Sequence, residues 1–325
     1  MPLSLHCPCC NNSSNKYLYK LKYGGVYICA HCNTAYTVFD DLSIKSANEV
    51  FGSSDFIKAR IYEQHRLRRI ARNRLSLLKR YLKEGHVLEF GSSTGEFIYE
   101  CTKSGYNVSS VDLYSSVLKS NQPGKSGDVY RQDASEFKIE ETYDAVVAFH
   151  VIEHLLNPGE FLRNCRGILK PDGIIFLEVP NYGSLSRRIW RKRWGMFYDY
   201  HVCHFDSSSL AGLLKKHGYQ ILLIRTVDDQ IRYIAPFYNP LRNALWAAIR
   251  KVIHGKRAGQ NQGNDNNNSI DYTDEERIRT SWKAKIYRLE LYIVDSISLL
   301  FLPFSLLLNS FGSGSYIQVI AKKNC

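Results

Sequence analysis

No apolar leader opens this chain. Met1 to Cys10 has no hydrophobic run and leads straight into cysteines, which argues against a secretory signal here and sets the expectation of a reducing, cytoplasmic setting. There is no internal repeat, so an architecture of stacked repeats is not expected. A G-x-G-x-x-G phosphate cradle is missing as well, which argues against a dinucleotide. Acids are scarce: 31 stand against 43 lysines and arginines in 325 residues, a net charge of +12. That balance favours an anionic contact, whether nucleic acid, an acidic membrane surface or a phosphorylated substrate. At 44% hydrophobic residues the chain can bury one large domain with appendages.

Nine cysteines in a reducing setting argue for metal rather than disulfides. Cys7-Pro-Cys-Cys10 and Cys29-Ala-His-Cys32 form two C-x-x-C knuckles, separated by a hairpin-like stretch, Lys16 to Ile28, around Gly24-Gly25. Each knuckle turns two thiolates toward one ion, and four thiolates close a tetrahedral Zn²⁺ site to water. Cys7, Cys10, Cys29 and Cys32 are therefore expected to hold structural zinc, with Cys9, His6 and His31 as spare donors. Cys101, Cys165, Cys203 and Cys325 are scattered and read as ordinary core or surface residues.

The most informative stretch is Val87-Leu-Glu-Phe-Gly-Ser-Ser-Thr-Gly95, followed at the right distance by Val111-Asp112. An apolar strand breaks at glycine, small residues lead into an amphipathic helix from Glu96 to Lys103, and a second strand ends in a carboxylate. This is the first half of a nucleotide-binding βαβ unit. Gly91 and Gly95 let the backbone approach a ligand, and Asp112 can accept both hydroxyls of a ribose. Glu89 beside the turn would repel a pyrophosphate and attract a cationic amino group. S-adenosylmethionine (SAM) carries an ammonium and a sulfonium and has no phosphate.

Four further segments follow in order: Gln132-Asp133-Ala134, Tyr143 to His154 ending in Val-Ile-Glu-His, Leu169-Lys-Pro-Asp-Gly to Asn181, and His201 to Leu210 with Leu213 to Tyr219. With the glycine turn, the chain from about His86 to His217 resembles class I SAM-dependent methyltransferases, in a bacterial subfamily of sugar- and quinone-type enzymes. Ser92 stands where cysteine or alanine is frequent, and Asp172 replaces the first glycine of the turn before the fifth strand. The resemblance implies an α/β, Rossmann-like sheet of seven strands, the last antiparallel. It implies that SAM contacts fall on Glu89, Gly91, Ser92, Gly95, Asp112, Leu113, Asp133, Ala134 and His150.

The expected organisation is a zinc-ribbon-like module over 1–40, a helical segment over 55–84, a methyltransferase core over 86–235, an insertion over 236–314, and a final strand over 315–325. Within the insertion, Gly255 to Glu276 is too polar to pack and reads as a mobile loop. Ile286 to Phe311 is apolar, but Asp295 and Pro303 interrupt it and the next strand must rejoin the same sheet. Instead of a span, a buried helical pair, a peripheral membrane contact at the inner face or a dimer surface is expected, with membrane contact slightly favoured over packing. Basic residues crowd Arg60 to Arg80 and Arg187 to Arg193. The first run reads equally as a solvated helix face or a binding patch; the second lies beside the substrate mouth.

Methyl transfer asks the protein for alignment and, where needed, a base. The candidates are His201 and His154, then His150 and Glu153, with Asn181, Tyr198 and His204 on the substrate side. The expected acceptor is a hydroxyl of a sugar, nucleotide-sugar or lipid-linked glycan of surface polysaccharide synthesis. A quinone-pathway O-methyltransferase and a nucleic-acid-binding methyltransferase are the alternatives. The Asn/Asp-Pro-Pro-Tyr/Phe motif of base methylation is absent, so nucleic acid is not the expected partner.

Overall fold

The computed structural model describes residues 6–40, 53–113, 127–228, 277–300 and 302–324. Its centre is a seven-stranded sheet in the order β10-β11-β8-β7-β4-β5-β6. The strands are β4 (His86–Phe90), β5 (Asn107–Val111), β6 (Val129–Tyr130), β7 (Tyr143–Phe149), β8 (Leu169–Pro180), β10 (Tyr219–Val227) and β11 (Tyr316–Lys323). β4 pairs in parallel with β5 and β7, and β7 in parallel with β8. β11 runs antiparallel to both β8 and β10. This is the α/β Rossmann-like methyltransferase sheet expected from the sequence, its last strand inserted against the grain.

The central strands read as continuous apolar runs because helices cover both faces. Val87, Leu88, Phe90, Val146, Val147 and Ala148 are all buried. One face is covered by α1 (Ser54–Leu78) and α2 (Glu96–Lys103), which meet through Ala71, Leu75 and Leu78 on one side and Phe97, Ile98 and Cys101 on the other. Ser53 caps α1 by accepting from the Phe56 N–H. The helix ends at Leu78 rather than near 84, because the Arg80 and Tyr81 N–H groups reach back only three residues and tighten the chain. On the opposite face lie α3 (Pro158–Ile168), started by Asn157 with a proline in its first turn, and α5 (Ser207–Lys216), started by an Asp206/Ser209 capping box.

A second, four-stranded sheet joins β1 (Asn15–Leu21), β2 (Gly24–Cys29) and β3 (Ala35–Phe39) to β9 (Cys203–His204). Ala35 pairs with His204 and Tyr36 with Cys203. The cysteine-rich hairpins thus continue into the segment that follows the fifth strand of the core.

Before β11 stand α6 (Trp282–Leu299) and α7 (Leu302–Ser310). α6 rests on α1, where the Tyr287 hydroxyl donates to Glu63 at 2.8 Å. α7 rests on the end of β10, where Ser305 donates to Asp228 at 2.7 Å. The polar loop expected over 255–276 lies outside the described residues. Among the described residues no helix is long and apolar enough to cross a membrane.

Candidate active site and metal centre

The turn after β4 is built for close approach. Gly91 and Gly95 hold φ of +72° and +87°, and a Cβ on Gly91 would stand 2.7 Å from the Val151 side chain. Gly95 starts α2, and the Ser93 N–H donates to Asp112 Oδ2 at 2.8 Å. The carboxylate at the tip of β5 thereby pins the turn across from it. Leu113 is exposed beside it.

Glu89 is buried, and its Oε2 has no hydrogen-bond partner. Burial pushes its carboxyl up to about 8; the Arg74 guanidinium pulls the other way, while Glu96 and Asp112 add to the rise. An orphaned carboxyl held near neutral is a receptor for a cation. The buried Ser92 hydroxyl beside it is also unpartnered. These residues fit the ammonium-bearing end of SAM. On the adenine side, Asp133 is exposed and its Oδ1 accepts from the Ser135 N–H and hydroxyl at 2.8 and 2.7 Å. Ala134, half-buried, follows it.

Glu178 and Arg74 were not singled out from sequence. Glu178 is buried on β8, where Arg74 from α1, the Gln318 amide and His150 converge on it. Arg74 also lies over the Phe149 ring at 4.2 Å. Although burial opposes ionisation, Arg74 and His150 hold the Glu178 carboxyl far below the usual carboxylate range. An acid inside an apolar strand was the available signal. Arg74, one of many basic residues on a single helix, carried none. Of the neighbouring basic residues, Arg69, Arg72 and Arg80 are exposed; Arg72 also pairs with Glu100 at 3.1 Å and Arg68 lies over Tyr99 at 3.9 Å.

The four histidines expected in one pocket divide. His150, at φ +59°, bridges Glu153 through Nδ1 and Glu178 through Nε2, each at 3.3 Å. Burial would lower its pKa, but the two carboxylates outweigh that and raise it. With both ring nitrogens engaged by carboxylates, His150 is tied into the floor of the site, whereas the sequence puts it among the candidate bases. His204 is buried with Nε2 2.8 Å from the Thr37 hydroxyl, boxed by Tyr182, Trp194 and Phe197. Burial, with Arg187 adding, pushes it down to about 3. It joins the ribbon to the core instead of facing substrate. Asn181 is likewise engaged internally: its amide donates to the Gly312 and Gly314 carbonyls and its oxygen accepts from the Gly183 N–H.

His154 and His201 do come together, ring centroids 4.7 Å apart. His154 Nδ1 donates to the Tyr200 carbonyl, 3.1 Å away. His201 is buried, and desolvation together with the other three histidines holds it neutral, well below the usual range. Glu153, His154 and His201 each offer a ligand atom within 4.8 Å of the others. Glu153 is buried with Oε2 unpartnered. Tyr198, exposed at the surface, stacks on Tyr200 at 5.0 Å, so the rim of this pair is aromatic.

At the far side of β3, the sulfurs of Cys7, Cys10, Cys29 and Cys32 all lie within 4.8 Å of one another. Cys7 and Cys32 are 3.5 Å apart, as are Cys10 and Cys29. A tetrahedron of ~2.3 Å Zn–S bonds has edges of about 3.8 Å, so the donor set and its spacing fit zinc. All four are free thiols. The Cys32 thiol is pushed up to about 12 by its hydrogen bond with Cys7 and by burial. Cys9 stays out of the cluster, its sulfur 3.9 Å from that of Cys203 in the core.

Comparison with known proteins agrees with this geometry. The methyltransferase domain family matches residues 62–224, half of the chain. A ubiquinone biosynthesis O-methyltransferase of Caulobacter vibrioides is 32% identical over 102 residues, 29% of this chain and 40% of that protein. The C-methyltransferase NovU of Streptomyces niveus is 24% identical over 162 residues, 47% of this chain and 37% of that one. Among solved structures, a SAM-dependent methyltransferase from Archaeoglobus fulgidus aligns over 79% of this chain and 94% of its own, with 20% identity and a TM-score of 0.46. The chain spans less than half the length of the two curated relatives. With half of its length matched by that family, the chain belongs to the methyltransferase domain family.

Proposed function

We propose that this protein transfers a methyl group from SAM to a hydroxyl oxygen of a small acceptor, with a phenol of the quinone-precursor class as the leading candidate. The observation that carries it is the meeting of His154 and His201, ring centroids 4.7 Å apart, at a rim where Tyr198 stacks on Tyr200. When bound, SAM supplies a methyl group already activated on sulfonium. His154 takes the acceptor's proton as its oxygen attacks, and the neutral His201 packed edge-on holds that imidazole in place. Glu178, Arg74, His150 and Glu153 form a hydrogen-bonded floor to the site. Glu89, Gly91 and Asp112 hold the donor. The ubiquinone-pathway relatives support a phenolic acceptor, while the glycan acceptor expected from sequence draws no support from the relatives. The second reading is transfer to carbon, favoured by the longer alignment with NovU.

Cys7, Cys10, Cys29 and Cys32 are proposed to hold structural zinc that shapes the β3–β9 wall of this mouth. To test the acceptor, purified protein is incubated with isotopically labelled SAM and phenolic, sugar and polyprenyl-linked acceptors, and the products are mapped by mass spectrometry. O-methylated phenol, lost about 10²–10⁴-fold in His154→Gln, is the expected result. Labelled carbon or sugar, with phenols inert, would overturn it.

A further inference from the structure

We infer that α6, α7 and the basic segment beginning at α4 (Leu185–Trp190) form a docking surface for an anionic lipid bilayer, lying on the membrane without crossing it. The inference holds whichever acceptor is methylated. α6 and α7 each have an anchored side, through Tyr287 on Glu63 and Ser305 on Asp228. Their exposed residues include large apolar side chains as well as Lys285 and Arg288, where a water-facing helix is polar. Tyr292, Leu300 and Phe311 are 72, 79 and 74% exposed, and Leu289, Leu306 and Leu307 are exposed as well. So much uncovered apolar surface marks an interaction face.

Charge selects the occupant. The loop closing α7 is stitched to the start of α4: the Leu185 N–H donates to the Ser313 carbonyl at 3.0 Å, and Asn181 clasps Gly312 and Gly314. Directly beyond that seam Arg188, Arg191, Lys192 and Arg193 are all exposed, with Ile189 exposed among them. An apolar tip beside a cationic cluster matches acyl chains beside anionic headgroups. The same segment then enters Trp194 to His201, so a bilayer seated here would lie next to the acceptor mouth.

The test is flotation of the full chain with vesicles of phosphatidylcholine alone and of phosphatidylcholine mixed with phosphatidylglycerol. The expected result is flotation with the anionic vesicles, weakened by salt. Neutralising each cation should cost about fivefold, so Arg191→Gln/Lys192→Gln should bind about 25-fold more weakly. Leu306→Glu/Leu307→Glu should abolish flotation, with circular dichroism and SAM affinity unchanged in both variants. Absence of flotation by the unaltered chain, or variants that float equally well, overturns the inference. So does a dimer in sedimentation that Leu306→Glu/Leu307→Glu dissociates without any vesicle binding, since the face would then pair two copies.

Discussion

With the proposed donor seated on Glu89, binding should be a proton-linked event. In the ligand-free protein its carboxyl stands near 8 against an ordinary 4.5 because it is buried. At pH 7 about 0.9 of it is therefore protonated. An ammonium ligand is held by the carboxylate, so binding must expel that proton. Ionising Glu89 costs about 1.4 kcal/mol for each pH unit below 8, and SAM affinity should fall about tenfold from pH 7 to pH 6. Above pH 8 the limb flattens and then reverses, as an α-amino group of ordinary pKa ~7.7–8.0 loses its own charge. Calorimetry in buffers of different ionisation enthalpy should count close to one proton released per SAM at pH 7. Glu89→Gln should abolish the low-pH limb and lose ~1.5–3 kcal/mol of affinity above it. Stability of the ligand-free protein follows the same sign. A carboxyl with a raised pKa contributes fully below pH 4.5, and that contribution is lost as pH rises through about 8. Donor binding reverses the trend by favouring the carboxylate. A Kd flat from pH 6 to 8, with no proton released, would refute the assignment of Glu89 to the cation.

Two other perturbations separate the donor site from the ribbon. Asp112→Ala removes a ribose acceptor and also the Oδ2 that pins Ser93, and SAM binding should weaken by ~1.5–3 kcal/mol by calorimetry; an unchanged affinity would sink the ribose assignment. Cys10→Ser/Cys29→Ser should release bound zinc, measured by metal analysis, and raise the acceptor KM while leaving SAM affinity intact. Retention of one zinc per chain by that double variant would refute the four-thiolate site.

The sheet was legible because its signals are local. Val87 to Phe90 and Tyr143 to Phe149 are apolar strands bounded by turns, Gly91 and Gly95 mark the turn after the first, and Asp112 marks the end of the next strand. The paired C-x-x-C knuckles were legible for the same reason, since each fixes two sulfurs within four residues. What stayed hidden depends on distant partners. His150 looks like any histidine at the end of a strand until Glu178, 28 positions on, is seen to share its proton. His204 resembles a substrate group until Thr37, 167 residues away, occupies its Nε2. Asn181 is spent on carbonyls at the far end of the insertion. Composition likewise registers the arginines of α1 as charge, while the fold uses Arg74 as the counter-ion of a buried acid.

The attachment of the cysteine-rich module carries a prediction for the proposed zinc and methyl transfer. β3 pairs with only two residues of the core, Cys203 and His204. Yet this short seam carries the Thr37–His204 hydrogen bond, a bond from the Thr37 N–H to the Val202 carbonyl at 2.9 Å, and the Cys9–Cys203 sulfur contact. His201 lies one residue before that carbonyl, and the Val202 N–H donates back to the Glu153 carbonyl at 2.9 Å. The chain from the cysteine cluster to the His154–His201 pair therefore runs through backbone hydrogen bonds, with no long side chain to absorb a displacement. A neutral histidine kept from water stays neutral only while its walls stay closed, and one wall of His201 is this seam. Loosening the knuckles should let water reach His201, raise its pKa toward the ordinary range, and set a second positive charge against His154 when its Nε2 must take a proton. Zinc loss would then act on the acceptor half-reaction by electrostatics as well as by shape, with the glycine turn and Asp112 on the far strands left undisturbed.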